Sequence, residues 1–176
     1  MPTFDQAPAA RAQMLIRKPA REVFNAIIDP AITTHFWFTK SSGKLEAGRR
    51  VRWDWEMYGV HDEVEVKEFE TNKRLVFEWS FPNSSRVEWT FDARPDGTTF
   101  VSVVNSDFKG DDIVTQALES TGGFNLVLCA CKAFLEHGIE PGFVADRAPD
   151  ANVHGRVAAG KRRSRGQATE RKAGGS

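Results

Sequence analysis

Residues 74–91 read RLVFEWSFPNSSRVEWTF, and their reading decides the fold. Leu75, Phe77, Trp79 and Phe81 alternate with Arg74, Val76, Glu78 and Ser80. Beyond a turn carrying Pro82 and Asn83, Val87, Trp89 and Phe91 alternate with Arg86, Glu88 and Thr90. Side chains two apart on a strand share a face. The segment therefore predicts two neighbouring strands that present one aromatic surface, which is either a core or the wall of a pocket.

The same period of two runs outward for about sixty residues from Arg49. RVRWDWEM (50–57) puts Val51, Trp53 and Trp55 opposite Arg50, Arg52 and Asp54. VHDEVEVKEF (60–69) groups Val60, Asp62, Val64 and Val66 against His61, Glu63, Glu65 and Lys67. Pro95-Asp96-Gly97 marks a turn into a last strand, TTFVSVVNS (98–106). Both faces of that strand carry apolar residues, so its orientation stays open. Alternation of this kind means an antiparallel sheet with one wet and one covered face.

Helical text flanks the sheet. AQMLIRK (12–18) predicts a first strand, and Ala20 to Ile28 a helix opened by Pro19, with Val23, Phe24, Ile27 and Ile28 at helical spacing. Asp29-Pro30 stops it, and a short helical turn over Ala31 to Phe36 follows. Asp111 to His137 predicts a long helix with an apolar stripe of Phe124, Val127, Leu128, Cys131, Phe134 and Leu135, capped by Gly138. Gly122-Gly123 inside it predicts a kink or a break, because glycine weakens a helix.

The 176 residues suit one domain at 12–147, with an N-terminal extension at 1–11 and a tail at 148–176. From Ala148 onward seven Lys/Arg face two acids, so this part is basic and the body correspondingly acidic. The tail holds nothing that buries a core, which predicts disorder. A weakly acidic body makes nucleic acid an unsuitable main partner, with weak attachment only through GKRRSRG (160–166). Cys129 and Cys131 diverge by about 200° on a helix and cannot share a metal or pair. MPTFDQAPAARAQML does not read as a signal peptide, and no apolar run reaches the roughly 18–20 residues a bilayer needs. A cytoplasmic protein without metal or cofactor is expected.

Four phrases together resemble the START/SRPBCC superfamily: IRKPAREVFNAIIDP (16–30), HFWFT (35–39), GVHDEVEVKEFETNKRLVFEW (59–79) and DGTTFVSVVNSDF (96–108). Within it, the chain is most similar to homologues of the activator of heat-shock-protein-90 ATPase, over residues from about 12 to 140. The resemblance implies an α+β helix-grip fold, a curved antiparallel sheet wrapped around the long C-terminal helix with a cavity between them. It further implies binding of apolar small molecules. A cyclase, aromatase or hydratase on the same scaffold, or a chaperone cofactor, are the alternatives. The family shares no universal catalytic residue. Where members often carry a histidine near the end of the last strand, this chain has Asn105-Ser106-Asp107-Phe108.

The candidate ligand-binding residues are Trp53, Trp55, Asp62, Phe77, Trp79, Trp89, Phe91, Val103, Asn105, Phe124 and Leu128. Buried indole N–H groups want acceptors, which makes a cluster of tryptophans a costly filling for a dry core. Asp62 and Asn105 are the inner polar candidates, Asp62 either orienting a ligand or sitting at a sheet edge. His35, beside Phe36 to Phe38, is a rim residue or a polar group at a pocket mouth. His61 and Glu63 fall on the face opposite Val64 and point to water rather than to a metal.

Overall fold

Seven strands form one antiparallel sheet in the computed structural model, which describes residues 7–79 and 84–153. They are β1 (Ala10–Ile16), β2 (Lys40–Ser41), β3 (Arg50–Trp55), β4 (Val60–Glu70), β5 (Arg74–Trp79), β6 (Ser85–Ala93) and β7 (Thr99–Ser106). Their spatial order is β1-β7-β6-β5-β4-β3-β2. Six strands thus separate the N-terminal helices from the long helix, as the alternation predicts. The Phe81 end of the quoted stretch and its Pro82-Asn83 turn lie outside the described residues, as does GKRRSRG.

The helices are α1 (Ala20–Ile28), α2 (Pro30–Thr33), α3 (Ile113–His137) and the short α4 (Phe143–Asp146). The sheet curves around α3, which packs mainly against β1 and β7, while α1 packs against β6. In β6 and β7 burial alternates strictly, with Val87, Trp89 and Phe91 inside and Val101, Val103 and Asn105 beside them. That settles the orientation of the last strand: its odd-numbered positions face inward. β1 begins and ends two residues earlier than its sequence suggests, with Ala10 opposite Asn105 and Ile16 opposite Thr99. Pro19 then stands as the N-cap of α1.

Local chemistry explains the joints. Asp29 accepts from the Ala31 N–H at 3.0 Å and pairs with Lys44 at 2.8 Å, which holds its carboxyl below the usual range. Buried Thr33 donates to the Ala26 carbonyl at 2.6 Å and thereby locks α2 back onto α1. Gly138 ends α3 at φ +65°, a conformation glycine adopts without strain. Lys132 ties α3 to the sheet, donating to the Leu15 carbonyl at 2.7 Å.

Three expectations are corrected here. The double glycine does not break the long helix, which is continuous from Ile113 to His137. Val60 does not join the inner row; at the start of β4 it is 51% exposed. Val76 is buried although its parity is outer. Its cross-strand neighbours Glu68 and Glu88 are held by Arg74 and Arg86, and the alkyl stems of such a network cover apolar surface.

Candidate functional site

The aromatic wall has a filled end and a hollow end, and the pairing of its strands shows why. Leu75 lies opposite Trp89 and Phe77 opposite Val87, so large side chains meet and close the space. At the last rung Trp79 lies opposite Ser85, whose small side chain leaves a gap. The helices amplify the difference. α1 lays Phe24 edge-on against Phe91 (5.2 Å) and Phe69 (5.3 Å), sealing the filled end.

Over the hollow end a cavity of about 320 Å³ remains. Its aromatic lining comes from Trp37, Trp55, Trp79, Phe108 and Phe124. Trp55 and Trp79 are nearly parallel, with centroids 6.1 Å apart and planes 14° from each other. Trp37 sits 5.9 Å from Trp79, and Phe124 meets Trp79 edge-on at 6.1 Å. Ser85, Asn105 and Ser120 add polar groups, while Glu119 and Arg147 stand at the solvent-facing side.

Of the residues predicted for the site, Trp55, Trp79, Asn105 and Phe124 line this cavity together. Trp53, Phe77, Trp89, Phe91, Val103 and Leu128 are packed in the core behind or beside it and do not. Asp62 is 8% exposed and is not at a sheet edge, since β4 runs between β3 and β5. It lies off the cavity, accepting a hydrogen bond from the Trp79 indole N–H and one from the Glu63 backbone N–H at 2.7 Å. This contact holds the Trp79 indole N–H. The demand that buried indoles find acceptors is met there, whereas the Trp89 indole N–H has no acceptor among the described residues.

Asn105 is 6% exposed. Its Nδ2 donates to Ser120 Oγ at 2.9 Å, which joins β7 to α3 at the cavity wall, and its Oδ1 has no partner among the described residues. His35 lies away from this cavity, stacked on Phe134 at 4.6 Å with Nδ1 2.5 Å from Glu140 Oε1. His61 and Glu63 are exposed on the outer face. Burial pushes the Cys131 thiol up to about 12, which keeps it protonated and unreactive. Among the described residues no cluster of three His, Cys, Asp or Glu side chains could hold a metal ion.

The segment after α3 completes the site, and the strand pattern carried no sign of it. Tyr58 donates its hydroxyl to the Val144 carbonyl and, at 3.0 Å, to that of Ala145. The Val153 N–H bonds the Met57 carbonyl at 2.9 Å. These ties draw residues 144–147 over the hollow end, where Val144 and Arg147 line the cavity. Arg147 Nη2 donates to the Glu119 carbonyl at 3.2 Å. Its guanidinium lies on the double glycine: a Cβ at Gly123 would fall 2.9 Å from Nη1, and one at Gly122 3.3 Å from Nη2. The glycine pair is thus a seat for Arg147. Trp37 also escaped the sequence reading, because it sits in a connection with no period.

Comparison with known proteins agrees with this architecture. The family model described as Activator of Hsp90 ATPase homolog 1-like protein matches residues 17–136. The crystal structure of SSP2350 from Staphylococcus saprophyticus is 28% identical, with a TM-score of 0.66, covering 75% of this chain and 94% of that one. DynU16, from the dynemicin biosynthetic locus, is 22% identical with a TM-score of 0.61, covering 76% of this chain and 49% of that one. The solution structure of the Aha1 dimer from Colwellia psychrerythraea is 15% identical with a TM-score of 0.64, covering 74% of this chain and 97% of that one. No curated protein matches the sequence. Among the described residues no helix is long and apolar enough to cross a membrane.

Proposed function

From the premise that the chain belongs to the Activator of Hsp90 ATPase homolog 1-like family, we propose that it binds a flat hydrophobic or aromatic small molecule at the hollow end of its sheet. The observation that carries this reading is the cavity of about 320 Å³ walled by Trp37, Trp55, Trp79 and Phe124. Its volume falls within the roughly 300–1,000 Å³ of small-molecule sites. Burial there is worth about 2.5 kcal/mol per 100 Å² of apolar ligand surface before the costs of association. Stacking against Trp55 and Trp79 adds shape selection for planar rings. DynU16, whose locus is biosynthetic, lends the reading support from a relative of the same fold.

Binding is favoured over an enzyme of the cyclase, aromatase or hydratase kind by the placement of the two inner polar residues. Asp62 is engaged with Trp79 and Glu63 off the cavity, and the Asn105 amide does not titrate. The test is tryptophan fluorescence and thermal melting with 2-naphthol and related bicyclic arenes. Saturable quenching and a raised Tm are expected, both weakened by Trp55→Ala. An unchanged melting curve and unquenched fluorescence up to the solubility limit of these probes would sink the proposal.

A further inference from the structure

We propose that the ligand is an aromatic carboxylate, its ring against the tryptophan wall and its anionic group on Arg147 at the cavity's open side. This deepens the binding reading above and rests on it. Arg147 lines the cavity, and its guanidinium makes no ion pair among the described residues. One of its five N–H donors goes to the Glu119 carbonyl, which tethers the guanidinium while leaving charge and donors for a ligand. A guanidinium presents donors in the fork geometry that a carboxylate matches.

The sequence invests in this placement. Two adjacent glycines in the middle of a 25-residue helix are unfavourable by propensity, and the helix runs through them without a break. What they provide is the absence of two β-carbons under Arg147, 2.9 and 3.3 Å from its terminal nitrogens. With side chains there, the guanidinium would have to lift from the helix. Tyr58 secures the other end, holding the Val144 and Ala145 carbonyls so that the chain reaches Arg147 in register. Deeper in, the Asn105–Ser120 pair supplies a polar spot for a second substituent. Glu119 also lines the open side, so a cationic ligand is the competing chemistry and belongs in the test.

The experiment measures dissociation constants of the full chain for three probes of one shape: 2-naphthoate, neutral 2-naphthamide and 2-naphthylmethylammonium. Naphthoate is expected to bind roughly tenfold tighter than naphthamide, the scale of one charge-assisted contact. Arg147→Gln is expected to bring that ratio close to one. Gly123→Ala is expected to lower it in a protein that still folds, since only the end of a flexible side chain must move. In each variant the naphthamide constant reports any general loss of the cavity, so the ratio isolates the charge. Equal binding of naphthoate and naphthamide by the unmodified protein overturns the inference while upholding the aromatic cavity. Tightest binding of the ammonium probe also overturns it, in favour of Glu119. A naphthoate preference that persists in both variants removes Arg147 as its origin. Absence of binding by all three probes brings down the cavity reading itself, and the inference with it.

Discussion

Trp89 and Trp79 project from neighbouring strands onto the same face, and both approach Phe124, at 5.9 and 6.1 Å. One is core and the other is cavity wall. Trp89 lies mid-strand opposite Leu75, at the end that α1 seals with Phe24, and is fully buried. Trp79 ends its strand opposite Ser85, beyond the reach of α1, where the segment at Val144 to Arg147 borders a cavity that Trp37 and Phe124 also line. The residue type and the strand period are shared. What differs is the element that closes each end, so the same aromatic alphabet fills a core at one end and lines a cavity at the other.

The sharpest way to break this comparison is truncation at both ends. Trp53→Ala, in the filled region, is expected to cost about 3–5 kcal/mol in urea unfolding, through lost burial and the hole left behind. Trp55→Ala, which already faces a cavity, is expected to cost less than about 2 kcal/mol while weakening ligand binding more. Equal losses would erase the distinction. Asp62→Ala is expected to cost about 1–3 kcal/mol by leaving the Trp79 indole without its acceptor. Asp62→Asn keeps an acceptor and is expected to recover part of the loss, together with the fluorescence response of Trp79 to ligand.

Smaller effects test the seat and the outer face. Alanine is ordinarily favoured over glycine in a helix by about 0.5–1 kcal/mol. At Gly123 that gain is expected to be offset by displacement of Arg147, and to return when Gly123→Ala is made in an Arg147→Gln background. Additivity of the two substitutions in a double-mutant cycle would show that the seat does not exist.

On the wet side of the sheet, Arg74 and then Arg86 hold Glu88 below its ordinary pKa of 4.5. A lowered folded-state pKa stabilises above the unfolded value, and the contribution disappears as pH falls through the folded one. Glu88→Gln is therefore expected to be less stable than the parent by about 0.2–1 kcal/mol at pH 7, with the gap closing below about pH 4. Unfolding curves at the two pH values check it, and a gap that widens in acid contradicts the assignment.

Much of the architecture was legible in the residues. The alternation in RVEWTF and TTFVSVVNS matches the buried rows of β6 and β7, and the stripe from Phe124 to Cys131 is the buried face of α3. The corrections share one cause. Val60 has inner parity and no neighbour to cover it, Val76 has outer parity and a roof of ion-paired side chains, and Asp62 has a partner seventeen residues away in sequence. Gly122-Gly123 looked like a local weakness because its reason, Arg147, lies over twenty residues downstream. Trp37 and Arg147 sit in connections, where no period marks a side chain as inward.

Alternation and capping are properties of consecutive residues, so the sequence by itself determined the strands, the helices and the aromatic face they share, and its resemblance to a known family implied the grip of the sheet on the long helix. A cavity is a property of surfaces that fail to meet. Whether Trp55 or Trp53 borders it depends on how far α1 reaches, where α3 crosses and how Tyr58 anchors the chain after it. Those are sums of packing over elements distant in sequence, and only the tertiary structure decided them.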